Sequence, residues 1–443
     1  MAIKHYVFNR RLKHRLRWRF WVLAALAFAL LYFYWWAVGS KVPSPAPTLP
    51  DAAALLQPRP GDLLGIDSTQ AYTAAQTDAL AKEDYGSSMP PVATGITKYV
   101  FHYRSELPTG EDITVYGRAY LPTVPRTNLP IFAFAPGTTG IGDECAASLE
   151  KPKVANWANY DSHLAAYASQ GFAVVTTDYE GMRDSSRIHH YMVGELEGRA
   201  LLDSVRALKH LPAARGRLDT GSVFLSGYSQ GGHAAFWADK IAASYAPEIK
   251  DKGVVGFGPV MDVKETLADV THGANINWFG PYLLYSYSDY YHGQYPNNQI
   301  LVPQFLSTLN KDVPAHCIDT DIIHWGHKPD GVYTPEFLQT LTSGQWAGTP
   351  FASFGDDMDK NAVGALSTSS AKRINGGTQD NVVLPAQQQA AFTTLCRSST
   401  GPVQLAEYQD ATHYNTMVRS FSDTLAWMHA LEAGLPQASN CPH

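Results

Sequence analysis

The segment that most limits how this chain can fold is Ser222-Val-Phe-Leu-Ser-Gly-Tyr-Ser-Gln-Gly-Gly-His233. Ser222–Ser226 is a short apolar run suited to a buried strand, and Gly231–Ser244 is Ala-rich and suited to a helix. Between them, Gly227-Tyr228-Ser229-Gln230-Gly231 matches the pattern G-x-S-x-G. A strand that becomes a helix within five residues needs a tight, strained turn. Glycines on either side let the two elements approach closely, and the serine at the apex then projects above a sheet.

The rest of the chain supplies elements for such a sheet. Ile131–Ala135, Phe172–Thr177, Val254–Val260 and Val403–Tyr408 are further short apolar or β-branched runs. Glu195–Leu211 carries Leu196, Ala200, Leu201, Val205 and Leu208 at helical spacing. Strands alternating with helices predict an α/β fold with a mostly parallel sheet covered on both faces. Tyr99–Tyr120, turning at Pro108-Thr-Gly110, predicts an antiparallel hairpin ahead of the parallel strands. Residues 263–344 interrupt the alternation with a Tyr-rich stretch, Trp278 to Tyr295, expected as an inserted helical cap. Most of these aromatic rings are expected in the cap's own core, with an inner face available to an apolar substrate.

The N-terminal residues are of a different kind. Residues 1–19 carry seven Lys and Arg and no acid, and residues 20–39 are twenty uncharged residues ending in Tyr32, Tyr34, Trp35 and Trp36. A helix of that length spans about 30 Å, the thickness of a bilayer's hydrocarbon core. The positive-inside rule puts the basic stub in the cytoplasm and everything after Ser40 across the membrane, on an uncleaved signal anchor; cleavage would make the chain secreted. Residues 40–60 are Pro-rich and read as an extended tether, so the folded part is expected to begin near Gly61. The net charge of −6 argues against a nucleic-acid partner. Cys145, Cys317, Cys396 and Cys441 all follow the apolar segment, where an oxidising compartment lets them pair. Four cysteines allow three connectivities, and their spacing does not choose among them.

A serine hydroxyl becomes a good nucleophile only when a base takes its proton and an acid orients that base. With Ser229 at the turn, the expected order is serine, acid, histidine. His413, in Asp410-Ala-Thr-His, follows the late strand and is the candidate base. Asp380, in Gly376-Gly-Thr-Gln-Asp, is the candidate acid, with Asp356 and Asp357 as fallbacks; Asp410 is too close in the chain to face His413 from another loop. Ser367–Arg373, ahead of Asp380, is polar where a buried apolar strand is expected. The backbone N–H of Gln230 and that of Thr138 or Thr139, in Pro136-Gly-Thr-Thr-Gly140, are the candidate oxyanion donors. Asp178, Tyr179 and Tyr228 are candidates for substrate contact. Cys317, Asp319, Asp321, His324 and His327 could in principle hold zinc, but a disulfide at Cys317 is the preferred reading and no metal is expected.

These residues resemble the secretory lipase family, fungal lipase-A-like α/β-hydrolases with bacterial relatives. The resemblance runs from about Gly61 to the C-terminus. It includes Gly137-Thr-Thr-Gly, Cys145-Ala-Ala-Ser, Asp178-Tyr-Glu-Gly, His190-Tyr191, Leu202-Asp-Ser-Val-Arg-Ala, Gly227-Tyr-Ser-Gln-Gly-Gly, Gly377-Thr-Gln-Asp and His413. It implies an α/β-hydrolase fold with a cap over an acyl-binding tunnel, and lipase or esterase activity on lipid or other carboxylic esters without a cofactor. It also implies Cys145–Cys317 and Cys396–Cys441 bridges. Two positions depart from the family pattern. Pro136 stands where relatives often carry His, leaving the support of that loop open, and Arg183 stands where they often have Gly. An acyltransferase would share the same acyl-enzyme, and a catalytically silent envelope module would share only the fold. Oligomeric state is left open.

Overall fold

The computed structural model describes residues 26–34, 59–92, 94–151, 157–274 and 276–442. The chain divides into two units, Met1–Gln57 and Pro58–His443. In the first, residues 26–34 are helical with exposed side chains. The remainder of the expected anchor at 20–39, the stub at 1–19 and nearly all of the tether lie outside the described residues. Among the described residues, no helix is long and apolar enough to cross a membrane.

The second unit is built on one nine-stranded sheet of order β1-β2-β3-β5-β4-β6-β7-β8-β9. β1 (Leu63–Tyr72), β2 (Ile96–Glu106) and β3 (Asp112–Pro122) form an antiparallel meander, and β3 pairs antiparallel with β5 (Ala173–Thr177). From β5 onward, through β4 (Leu129–Ala135), β6 (Leu218–Tyr228), β7 (Asp251–Phe257), β8 (Ala371–Gly377) and β9 (Val403–Tyr408), every pairing is parallel. β4 explains the arrangement in miniature. Ile131, Ala133 and Ala135 enter one core, Phe132 and Phe134 enter the other, and none is exposed to solvent. A strand apolar on both faces needs cover on both.

Helices α3 (Gly194–His210), α4 (Gln230–Tyr245) and α10 (Pro385–Ser398) supply apolar residues to the first core. Helices α1 (Ala74–Tyr85), α2 (Tyr160–Ser169) and α11 (Thr416–Glu432) supply the second. The amphipathic stripe of α3 faces the sheet through Leu201, Val205 and Leu208, each fully buried. Burying a side chain of this size stabilises the fold by about 1.5–3 kcal/mol relative to leaving it in water.

β8 overturns the expectation of an apolar strand before Asp380. Its sequence, Ala-Lys-Arg-Ile-Asn-Gly-Gly, is buried throughout. The polar side chains are tolerated because each finds partners. Lys372 Nζ donates to the carbonyls of Ser370 (2.9 Å) and Thr368 (3.2 Å), Arg373 Nε donates to Asn375 Oδ1 (2.9 Å), and Asn375 Nδ2 donates to Thr424 Oγ1 (2.9 Å). A hydrogen-bonded polar group costs little to bury, whereas an orphan would cost about 1–3 kcal/mol.

Between β7 and β8 lies a helical insertion containing α5 (Val263–Asp269), α6 (Phe279–Tyr290), α7 (Ile318–Trp325), α8 (Pro335–Ser343) and α9 (Ala352–Asn361). It reaches Asn361, past the end at 344 read from the sequence. Its aromatic residues form a separate core in which Trp278, Phe279, Tyr282, Tyr287 and Tyr295 are buried. Disulfides join Cys145 to Cys317 and Cys396 to Cys441. Of the residues weighed for zinc, Cys317 is thus oxidised, His324 Nε2 faces Asp312 (3.0 Å), and Asp321 accepts from Trp325 Nε1 (2.9 Å) and from Tyr282.

Candidate active site

Parallel register brings the candidate residues to one edge. Ala135 pairs with Gly227, Tyr228 with Phe257, Phe257 with Asn375, and Gly377 with Tyr408. The C-terminal ends of β4, β6, β7, β8 and β9 therefore lie side by side. The loops that leave them carry Thr138 and Thr139, Ser229, Gly258, Asp380 and His413 in turn. Crevices at the carboxyl ends of parallel strands are where open α/β sheets bind ligands.

Ser229 sits at φ 54° and ψ −114°, between β6 and the first turn of α4. A non-glycine residue in that region carries roughly 1–3 kcal/mol of strain, which the surroundings must impose. The Ser229 N–H donates to the Phe257 carbonyl (3.0 Å), and the Ser229 carbonyl accepts from Val260 N–H and His233 N–H (both 3.2 Å). A Cβ on Gly227 would come within 1.9 Å of the Gly231 carbonyl oxygen, and one on Gly231 within 1.8 Å of the Ala135 carbonyl oxygen. Both flanking positions of G-x-S-x-G thus admit only glycine. The N–H of Gln230, first residue of α4, has no intrahelical acceptor and is available at the turn.

His413 and Asp380 are both buried and directly paired, the Nδ1–H of His413 donating to Asp380 Oδ2 at 2.9 Å. The other carboxylate oxygen is fixed by the N–H groups of Val382 and Val383, each at 2.9 Å. With Nδ1 engaged, Nε2 is the nitrogen left to take a proton. The elbow meets this pair through its neighbours. The Tyr228 ring lies 4.9 Å from the His413 imidazole, and a Cβ on Gly258 would approach His413 Nδ1 to 3.0 Å and Asp380 Oδ2 to 3.1 Å. The other acids face elsewhere. Asp410 is exposed and accepts from Gln379 Nε2 (3.1 Å), Asp357 accepts from Tyr295 and Lys360, and Asp356 is exposed.

The loop after β4 rests on three buried tyrosines. Tyr179 donates to the Pro136 carbonyl (2.5 Å), Tyr191 shares a hydrogen bond with Thr138 Oγ1 (2.7 Å), and a Cβ on Gly137 would meet Tyr160 Oη at 3.1 Å. Burial pushes all three phenols up, so they remain protonated. These rings provide the support that Pro136, lacking an imidazole, cannot. At the far end of the loop, Ile318 N–H donates to the Thr139 carbonyl (2.9 Å), and Gly140 bridges to Cys317.

A family model described as "Secretory lipase" matches residues 159–440, the segment that contains the elbow, Asp380 and His413. The chain belongs to the secretory lipase family. Among curated relatives, Lipase A of Moesziomyces aphidis is 28% identical over 200 residues, covering 41% of this chain and 39% of that protein. Lipase 6 of Candida albicans is 25% identical over 281 residues, covering 61% of this chain and 58% of that protein. The chain thus spans about two fifths to three fifths of the length of these two relatives. Among solved structures, the rice cell wall degrading esterase LipA from Xanthomonas oryzae superposes with a TM-score of 0.65 at 21% identity, covering 85% of this chain and 97% of that one. The fold is that of the α/β-hydrolases.

Within this family framework, two of the residues read as candidates for substrate contact hold partners inside the protein. Asp178 is buried and accepts from Ser148 N–H (2.8 Å) and the Ser148 hydroxyl, and Tyr179 is the support of Pro136 just described. Both follow directly on β5, but only Tyr179 holds the loop, through the Pro136 carbonyl, while Asp178 holds Ser148. Tyr228 alone of the three contacts the His–Asp pair. Arg183 takes φ 62° and lays its guanidinium 3.8 Å over the Tyr116 ring, which explains how an arginine occupies a position suited to glycine. Sequence reasoning overlooked Glu197, which is 1% exposed and hydrogen-bonded to Gln230 and His233. A signal was present: Glu197 precedes Ala200 and Leu201 by three and four residues, on the buried stripe of α3.

Proposed function

We propose that this protein is a serine-dependent carboxylic ester hydrolase, a lipase or esterase acting through an acyl-enzyme. The observation that carries the reading is the buried Asp380–His413 pair against the elbow that holds Ser229 in a strained conformation. Ser229 Oγ attacks the acyl carbon while its proton passes to His413 Nε2, and Asp380 stabilises the imidazolium that forms. The tetrahedral oxyanion accepts hydrogen bonds from Gln230 N–H and from the N–H of Thr138 or Thr139. Collapse expels the alcohol with the proton from His413. Water, activated by the same imidazole, then releases the carboxylic acid and restores Ser229. No cofactor takes part.

Fluorophosphonate labelling of the full-length chain in detergent, compared with Ser229→Ala, tests the assignment. Labelling of wild type alone supports it; equal labelling, or none in either, sinks it. A series of p-nitrophenyl esters of increasing acyl length then separates a lipase preference from a short-chain esterase one.

We also propose that residues 20–39 anchor the chain, leaving the folded unit outside the cytoplasm. The support is the uncharged stretch behind seven basic residues, together with two disulfides of the kind an oxidising compartment permits. Retention of the chain in carbonate-washed membranes is expected; release into the wash rejects the anchor.

A further inference from the structure

Behind the elbow lies a buried polar cluster that the triad chemistry does not use. Glu197, on α3, is 1% exposed, and its two oxygens divide their partners. Oε1 accepts from Gln230 Nε2 (2.8 Å) and from Met192 N–H (3.0 Å), and Oε2 lies 2.7 Å from His233 Nδ1. His233 Nε2 lies 2.7 Å from the Asn361 carbonyl, which can only accept, so Nε2 carries a hydrogen. One more proton occupies the Nδ1–Oε2 contact. The second N–H of the Gln230 amide points at His189 Nε2 (3.2 Å), whose ring donates from Nδ1 to the Glu180 carbonyl (3.1 Å). Turning the Gln230 amide over would set its oxygen against a carboxylate and an imidazole lone pair. Its orientation is therefore fixed.

We propose that Glu197 is a positioning residue for the oxyanion donor Gln230; this rests on the reading of Gln230 N–H given above. Gln230 is the first residue of α4, and its N–H belongs to the peptide that follows strained Ser229. Anchoring the side chain to a second helix holds that N–H in the direction an oxyanion requires, before substrate arrives. Preorganisation of this kind acts on the transition state, so it appears in kcat. Stability alone does not call for the carboxylate. The α3–α4 contact is already close at Gly194 and Gly198, where a Cβ would meet Trp237 at 2.1 Å and Ala238 N at 2.9 Å. A buried charge pair is often no more stabilising than apolar packing of the same volume.

The test uses full-length Gln230→Ala, Glu197→Ala and Glu197→Gln in detergent, assayed with a p-nitrophenyl ester and the matching thionoester. Gln230→Ala is the cleanest variant, because Glu197 keeps Met192 N–H and His233 as partners, so it carries the test even where Glu197→Ala does not fold. Removing one oxyanion donor costs about 10²–10³ in kcat, and weakening its aim should cost roughly 10- to 100-fold with KM within about threefold. Sulfur is the poorer hydrogen-bond acceptor, so the preference for ester over thionoester should fall about tenfold in both alanine variants. Glu197→Gln still accepts from Gln230 and Met192 and can donate to His233 Nδ1, so it should stay within about threefold of wild type. Wild-type kcat in Gln230→Ala, or a loss with an unchanged ester-to-thionoester ratio, overturns the proposal. An inactive wild type, or an active Ser229→Ala, instead overturns the hydrolase reading itself.

Discussion

His413 donates from Nδ1 to Asp380 Oδ2 at 2.9 Å, and the α-carbon of Gly258 closes the space beside both atoms. The contact joins loops after β8 and β9, while the glycine comes from the loop after β7. Three strand ends thus converge on one hydrogen bond.

Gly258 has φ 52°, and a Cβ there would press on His413 Nδ1 and Asp380 Oδ2 together. Gly258→Ala should lose about 1–2 kcal/mol of stability from the left-handed backbone. Its kcat should fall at least about tenfold as the pair is displaced. Asp380→Asn, which leaves the volume unchanged, should lower kcat about 10⁴-fold with little change in KM. Thermal melts and steady-state ester hydrolysis check both. Wild-type kcat in Asp380→Asn would remove Asp380 from the proposed triad.

The two disulfides should differ in what they control. Cys145–Cys317 adjoins the loop of Thr138 and Thr139, since a Cβ on Gly140 would lie 2.6 Å from Cys145 Sγ. Cys396–Cys441 ties α10 to the C-terminal segment. Each double Cys→Ala variant should lose about 2–5 kcal/mol, but only Cys145→Ala/Cys317→Ala should also lower kcat of the folded enzyme at a temperature well below its melt. Equal kcat in the two variants would count against a role for the first bridge in the loop.

A pH-dependent contact connects the insertion to the core. His190 lies between Glu180, on its Nδ1, and Asp289 of α6, 2.9 Å from Nε2. Burial opposes the imidazolium, but Glu180 and Asp289 outweigh it and raise the His190 pKa. Burial likewise opposes the Glu180 carboxylate, yet His190 and His189 bring its pKa down to about 2. A raised histidine contributes stability that is complete below its unfolded value, about 6.5, and is lost as pH rises through the folded one. A depressed carboxylate contributes stability above its unfolded value, about 4.3, that is lost as pH falls through the folded one. The contact should therefore be strongest at roughly pH 4.5–6.5. Melting temperature should decline on the alkaline side of that window, and His190→Gln should flatten the decline. The same slope in wild type and variant would exclude His190 as its source.

What the sequence determined by itself were features written in local pattern. The strand–G-x-S-x-G–helix segment, the alternation of apolar runs with amphipathic stretches and the 99–120 hairpin each depend on neighbours in the chain. The pairing of His413 with Asp380 was legible too, because chain order constrains which loops can meet. The tertiary structure decided what depends on residues far apart. Ser367–Arg373 reads as too polar for a central strand, and only the partners at Asn375, Thr424 and the carbonyls of Ser370 and Thr368 make burial of β8 tolerable. Asp178 and Tyr179 look like pocket residues from their motif, and only the fold shows the partners they take at the end of β5, Ser148 for Asp178 and the Pro136 carbonyl for Tyr179. Helical spacing puts Glu197 on the buried stripe of α3, but its partners Gln230 and His233 are decided only when α3 and α4 pack together. A polar residue's role is set by the partner that satisfies it, and periodicity carries no information about partners from another element.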